Sequence, residues 1–275
     1  MAKEKFVSII IPAYKQKRTI KKDVLNIYDV MSQTRWDFEI IVVDDGSPDD
    51  TLKELKQIRK NQIQTLGYAT NRGKGYAVRY GMARATGDYI AFIDAGMEIS
   101  PNSISMLLEH MEWYNADIMV GSKRHPASKV KLTSIRKIYS WGYYLGVRIL
   151  FGLKISDTQV GLKIFKRSVL EKVMPRLVVK EFAFDIELLA VANRLGFTRI
   201  FTAPVQLTLG FSEGSKWLPG FLVFLDPNIR AMVKDTMAVF YRLHLLNYYD
   251  DKNQRKWIYD KELQMRINTG ELQSD

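Results

Sequence analysis

Four short apolar runs, separated by stretches of helical length, constrain this chain more than any other feature. They are VSIIIP (Val7–Pro12), EIIVVDD (Glu39–Asp45), DYIAFIDA (Asp88–Ala95) and ADIMVGS (Ala116–Ser122). Runs without polar alternation suit strands buried on both faces, as in a parallel sheet covered by helices. Thr19–Ser32, Asp49–Lys60, Gly75–Ala85 and Ser100–Tyr114 read as the intervening helices. Strand alternating with helix predicts βαβ units and an α/β fold, an open, mostly parallel sheet flanked by helices. Ligands of such sheets bind beyond the carboxyl ends of the strands. Asp44, Asp45 and Asp94 stand at such ends, so three carboxylates are expected in one crevice.

The second half differs in texture. Ile138–Ile155 is aromatic and carries only Arg148 and Lys154 as charges, and Glu181–Phe197 reads as a helix ending at Gly196. At about 100° per residue, Ile229–Leu246 gathers Ile229, Met232, Val233, Val239, Phe240 and Leu243 on one face. Arg230, Lys234, Asp235 and Arg242 fall opposite, so the segment is an amphipathic helix. Beyond Tyr249 the chain is polar and is expected as a surface extension. This divides the chain into 1–215, the α/β domain, and 216–275, an amphipathic membrane-surface segment with a polar tail.

The formal charge of +11, from 41 Lys and Arg against 30 Asp and Glu, calls for an anionic partner. Nucleic acid, acidic lipid and a phosphorylated substrate all qualify on charge alone. Without cysteine there is no disulfide framework or thiolate chemistry, which is compatible with a reducing cytosol. The apolar run at the N-terminus is too short for a signal peptide. No uncharged apolar run approaches the roughly 18 residues of a spanning helix.

Two local constellations carry chemistry. Asp44 and Asp45 are adjacent acids at a strand end, which repel unless a cation or several donors neutralise them. They suit hydrogen bonding to a ribose or base; the plainer reading is a turn capped by Ser47 or Asp49. Asn71–Gly87 places two glycines around Lys74 at a helix start, where free N–H groups and the lysine attract phosphate. A plain helix entry accounts for that stretch equally well. His110, His125 and His244 lack metal-ligand spacing.

Together VSIIIPAY, EIIVVDDGSPDDT, NRGKGYAVRYGMARATGDYIAFIDA and DTQVGLKIFKR resemble, in order and spacing, family-2-type GT-A glycosyltransferases. The resemblance is nearest to polyprenyl-phosphate (dolichyl-phosphate) mannose and glucose synthases and covers roughly residues 5–210. It implies a GT-A (Rossmann-like) fold with C-terminal amphipathic helices. It further implies inverting transfer of a hexose from a nucleotide sugar of the GDP-mannose or UDP-glucose type to a polyprenyl phosphate. Carried over by position, Pro12, Ala13, Tyr14, Asp44, Asp45, Lys74 and Asp94 are expected to hold the nucleotide. Arg124 and Arg136 are expected to meet the lipid phosphate, and Asp157, Gln159 and Asp185 match acceptor-side catalytic motifs. Lys15, Gln16 and Lys17 stand where the family has acidic residues after P-A-Y.

The resemblance also implies Mg²⁺ or Mn²⁺, a Lewis acid for the departing diphosphate. An Asp-x-Asp is usual at Asp94, but Gly96 takes the second position; Asp94 with Glu98 is the expected ligand pair, and Glu98 alternatively primes the following helix. A polyprenyl phosphate is already anionic, whereas a sugar hydroxyl needs a general base. The basic stretch Lys123-Arg124-His125 with Lys129, Lys131, Arg136 and Lys137, leading into an aromatic segment, suits a phosphate head and its lipid at a membrane surface. The expected location is the cytoplasmic membrane face, peripherally bound, with no nucleic acid partner. Two alternatives stand: a polysaccharide or glycan hydroxyl acceptor with Asp157 or Asp185 as base, or a degenerate nucleotide-sugar-binding module.

Overall fold

A computed structural model describes residues 5–128, 134–155, 157–179, 183–207, 227–253 and 255–272. Its centre is a seven-stranded sheet of β1 (Val7–Ala13), β2 (Phe38–Asp45), β3 (Ile63–Tyr68), β4 (Tyr89–Ile93), β5 (Ile118–Ser122), β6 (Leu162–Lys166) and β7 (Ile200–Pro204). The order across the sheet is β3-β2-β1-β4-β6-β5-β7. β1 pairs in parallel with β2 and β4, β2 with β3, and β5 with β7, while β6 runs antiparallel between β4 and β5. The expected α/β fold with a mostly parallel sheet is therefore present. Every residue of β1, β4 and β5 is buried, which is why those segments are continuous apolar runs.

Helices α1 (Ile20–Met31), α2 (Thr51–Leu55), α3 (Lys74–Met82) and α4 (Asn102–Trp113) follow the first strands in turn. α5 (Ser134–Phe151), α6 (Arg167–Val173), α7 (Phe184–Arg194) and α8 (Pro227–Phe240) are the further α-helices among the described residues. The sequence missed β3, because an edge strand with exposed Gln64 and half-exposed Thr65 has no apolar run to announce it. α2 is shorter than the expected Asp49–Lys60 stretch, ending at Leu55.

The C-terminal region departs furthest from expectation. α8 passes at Tyr241 into a five-residue π-helical turn, Tyr241–Leu245, rather than continuing as one α-helix to Leu246. Thr236, Val239 and Leu243 are its buried side, whereas Val233, expected among them, is exposed with Met237, Tyr241 and Leu245. The polar tail is not a loose extension. It forms an antiparallel hairpin, β8 (Arg255–Asp260) and β9 (Met265–Leu272), in which Leu263 is buried. Val239, Leu243, Tyr248 and Tyr249 join the same apolar core as the sheet. The drawn boundary at 215 lies in 208–226, outside the described residues. No helix among the described residues is long and apolar enough to cross a membrane.

Candidate active site

The parallel register places the carboxyl ends of β1, β2, β4 and β5 on one edge, Ala13 opposite Asp44, and antiparallel β6 begins there. Pro12 and Ala13 are buried strand residues; Tyr14, just beyond them, is exposed. The loop after Tyr14 is tied to the turn after β2. Backbone N–H groups of Lys15 and Gln16 donate to the Ser47 hydroxyl at 3.0 Å and the Thr51 hydroxyl at 2.9 Å. Ser47 and Thr51 thus anchor the loop whose Lys-Gln-Lys sequence departs from the family pattern.

Asp44 and Asp45 are both buried but have opposite situations. Asp45 Oδ1 accepts from the Tyr68 hydroxyl at 2.7 Å and the Arg72 N–H at 2.8 Å. Its Oδ2 accepts from Asn71 Nδ2 at 2.9 Å and the Gly73 N–H at 3.0 Å. Its charge is spent on holding residues 71–73, which deliver Lys74 to the head of α3. Asp44 receives one N–H, from Ser47 at 3.3 Å, and its Oδ1 is buried without a hydrogen-bond partner. Burial pushes the Asp44 carboxyl up, against the Ser47 bonds that lower it. A buried, unsatisfied carboxylate oxygen is costly unless a ligand donates to it.

At the centre lies a row of alternating charges. The Lys74 ammonium is 2.8 Å from Asp94 Oδ1 and 3.6 Å from Asp185 Oδ2. Asp185 Oδ1 is in turn 2.8 Å from the ammonium of Lys163, a fully buried residue that also donates to the Val160 carbonyl at 2.6 Å. Burial works against the charge of Lys74, yet Asp185 and Asp94 outweigh it and hold its pKa above the usual lysine value. Burial opposes the charge of Asp185 too, but Lys163 and Lys74 keep its carboxyl below the ordinary range. Burial lowers Lys163. Sequence reading missed Lys163, although a lysine inside the apolar strand LKIFK is itself a signal, since lone charges are rarely buried.

Asp94 is fixed by close backbone packing. Its N–H donates to the Gly161 carbonyl at 3.0 Å, and a Cβ on Gly161 would stand 2.4 Å from Asp94 Oδ2. The glycine of DTQVG is there because the carboxylate leaves it no room. Two residues past Asp94, Gly96 has φ +89° with open space where a Cβ would lie, and its N–H donates to Asp23 of α1 at 3.2 Å. Asp23, a further residue the sequence did not flag, thereby holds the loop after β4.

A second cluster sits at the end of β5. Lys123 forms an ion pair with Glu98, and its N–H donates to Asp157 Oδ2 at 3.3 Å. Glu98 is thus engaged by a lysine. Burial raises the Asp157 carboxyl despite Lys163, Lys123 and Arg124 nearby. Burial lowers Arg124, whose guanidinium carbon is 5.8 Å from the centre of the Tyr144 ring on α5. Gln159 is exposed and donates to the Met232 sulfur on α8 at 3.2 Å. Arg136 lies in the first turn of α5 with its side chain outside the described residues, as are Lys129 and Lys131 entirely.

The resemblance implies a divalent ion among these donors. Among the described residues no three His, Cys, Asp or Glu side chains gather as a protein cage. Mg²⁺ commonly uses one or two carboxylates with substrate phosphates and water. Asp94, with a 44% exposed side chain beside a glycine that leaves space, fits that shared arrangement.

Comparison with known proteins agrees with this geometry. Residues 8–174 match the family described as Glycosyl transferase family 2. The dolichyl-phosphate beta-glucosyltransferase of Dictyostelium discoideum is 29% identical, over 90% of this chain and 77% of its own. That of Saccharomyces cerevisiae is 29% identical over 91% and 78%, and that of Drosophila melanogaster 32% over 78% and 69%. Among solved structures, glucosyl-3-phosphoglycerate synthase from Mycobacterium tuberculosis in complex with UDP superposes with a TM-score of 0.63. It is 17% identical, with 96% of this chain and 87% of that one covered. The same enzyme with Mn²⁺, UDP and phosphoglyceric acid gives 0.63 at 18% identity, over 96% and 86%. At such identity the likeness is one of fold.

Proposed function

Because this chain belongs to glycosyl transferase family 2, we propose that it moves glucose from a nucleotide sugar, of the UDP-glucose type, to a polyprenyl phosphate. Of the two donors the sequence left open, glucose is supported by relatives named dolichyl-phosphate beta-glucosyltransferases, and uridine by neighbours that hold UDP. In this reading the unsatisfied Asp44 oxygen accepts from the nucleoside, beside Pro12, Ala13 and Tyr14. Asp45 acts by holding the 71–73 loop. Lys74 neutralises the diphosphate, exchanging Asp94 for phosphate oxygens while Asp185 keeps it in place. A divalent ion held by Asp94 would supply Lewis-acid stabilisation to the leaving diphosphate; Glu98 would join it only by giving up Lys123. Arg124, with Lys123 next to it in the chain and Arg136 assigned by the family resemblance alone, receives the acceptor phosphate. A phosphate oxygen attacks the anomeric carbon as the bond to the diphosphate breaks, so configuration inverts.

One observation carries this reading: Asp185, a buried acid of the crevice, is locked between two lysines that hold its carboxyl below the ordinary range. A carboxyl pushed below its usual range is a poor general base near neutral pH. A phosphate acceptor needs none. A hydroxyl acceptor would have to rely on Asp157, whose carboxyl burial pushes the other way. Exposed Trp141, Leu145 and Ile149 along α5, and Val233, Met237, Tyr241 and Leu245 along α8 and its π turn, support a peripheral position on a membrane, by the charge and lack of cysteine its cytoplasmic face.

The decisive assay incubates the full chain with radiolabelled UDP- or GDP-sugars, Mn²⁺ and a polyprenyl phosphate, then extracts with organic solvent. Label from UDP-glucose is expected in the lipid phase. Label appearing only in a water-soluble glycan would replace the acceptor. Nucleotide binding with no transfer to any acceptor would leave a binding module.

A further inference from the structure

The hairpin at the end of the chain reaches the loop that delivers Lys74. Its tip is tied to the strand: Asp260 Oδ1 accepts the N–H groups of Glu262 and Leu263, both at 2.9 Å, and Leu263 is buried. From this tip the Glu262 carboxylate pairs with the Arg72 guanidinium and accepts the Tyr76 hydroxyl at 2.7 Å. Arg84 donates to the Glu262 carbonyl at 2.8 Å. Arg72 lies against two aromatic rings, 5.4 Å from the Tyr68 centroid and 4.8 Å from that of Tyr76. Tyr68 passes the contact inward, donating its hydroxyl to Asp45, which also holds the Arg72 and Gly73 N–H groups. A continuous set of contacts thus runs from residue 262 to the turn before Lys74, spanning 190 positions between Arg72 and Glu262.

We propose that Glu262 is a positioning residue for the nucleotide sugar: through Arg72 and Tyr76 it fixes the 71–73 turn and hence the place of Lys74. The inference rests on the reading above for the identity of the ligand, and not for the clamp itself. Nothing in the reaction calls for a carboxylate at this place, since Glu262 lies on the far side of Arg72 from Asp45 in the contact order. Its effect is on binding: apparent affinity falls with the fraction of molecules that hold the competent loop. An exposed ion pair adds little to global stability, so affinity and stability separate.

The test uses the full chain and the variants Glu262→Ala, Glu262→Gln and Arg72→Ala. UDP and GDP are titrated calorimetrically in the presence of Mn²⁺, and amide hydrogen exchange is followed across residues 70–77. Glu262→Ala should weaken nucleotide binding and raise donor KM by about threefold to tenfold, in proportion to the lost competent fraction, with kcat within about twofold. Exchange should rise across 70–77 while the strands β1, β2 and β4 stay protected. Glu262→Gln, which keeps an acceptor for Tyr76, should recover part of the affinity. The losses in Arg72→Ala and Glu262→Ala should be less than additive in the double variant, since each removes the shared Arg72–Glu262 pair. Unchanged exchange at 70–77 in Glu262→Ala overturns the clamp whatever the chain binds. Unchanged affinity in a variant whose parent binds nucleotide overturns the positioning role alone. A parent chain that binds neither nucleotide overturns the functional reading and with it the binding half of this inference.

Discussion

Replacing Lys163 with methionine isolates the electrostatics beneath the crevice. Methionine keeps much of the length of the side chain and removes only the ammonium, so packing is disturbed little. In the native chain that ammonium is fully buried, 2.8 Å from Asp185 and 2.6 Å from the Val160 carbonyl. Without it, the nearest cation to Asp185 is Lys74 at 3.6 Å, already shared with Asp94. Breaking a buried pair on one side costs about 3–5 kcal/mol, because it strands the remaining charge. At about 2–4 °C per kcal/mol for a chain of this size, Tm should fall by roughly 6–20 °C. Lys163→Met/Asp185→Asn removes the stranded charge and should return most of the loss, a coupling of about 2–3 kcal/mol.

The pH dependence carries an independent sign. In the native chain Asp185 is held below its unfolded pKa, by Lys163 and Lys74 against burial, so its contribution is present above that value and lost as pH falls through the folded one. In Lys163→Met burial dominates and the folded pKa rises above the unfolded value. The variant should then gain stability relative to the parent when the pH is lowered from about 7 to 5. Urea unfolding followed by circular dichroism at both pH values measures all three quantities. A single-variant loss below about 1 kcal/mol, or costs that add within about 0.5 kcal/mol, would refute the charge row as a coupled unit.

Two further outcomes follow from the same crevice. Asp44→Asn should raise Tm by a few degrees at neutral pH, since burial disfavours the ionised carboxylate whose pKa is raised, and its stabilising protonated form is lost as pH rises. The same change should weaken nucleotide binding by about tenfold, the worth of a hydrogen bond to a charged acceptor; calorimetry and thermal melts together check the opposed signs. Gly161→Ala puts a Cβ 2.4 Å from Asp94 Oδ2 and must displace that carboxylate from Lys74. Turnover should fall on the order of 10²-fold for a shift of about 1 Å at the reacting groups, while circular dichroism stays native; full turnover would show that Asp94's position is not limiting.

What the sequence determined by itself is whatever depends on local periodicity. Four apolar runs and the helices between them dictated a mostly parallel sheet, and the rule that ligands sit at carboxyl ends placed Asp44, Asp45 and Asp94 on one edge. A short-range pattern also marked Lys74, and the family resemblance marked DTQVG. Tertiary structure alone decided which of these groups are available. Asp44 and Asp45 are neighbours of the same chemistry, yet one meets four donors from the 68–73 stretch and the other keeps an oxygen unsatisfied. Glu98 lies four residues from Asp94 but is engaged by Lys123 from another strand end, and Asp185 depends on a lysine 22 positions away in sequence. The hairpin tip meets Arg72 across 190 positions. Pairing energy depends on distance and burial in space, and neither is a function of spacing along the chain, so composition and periodicity could name the charges but not their partners.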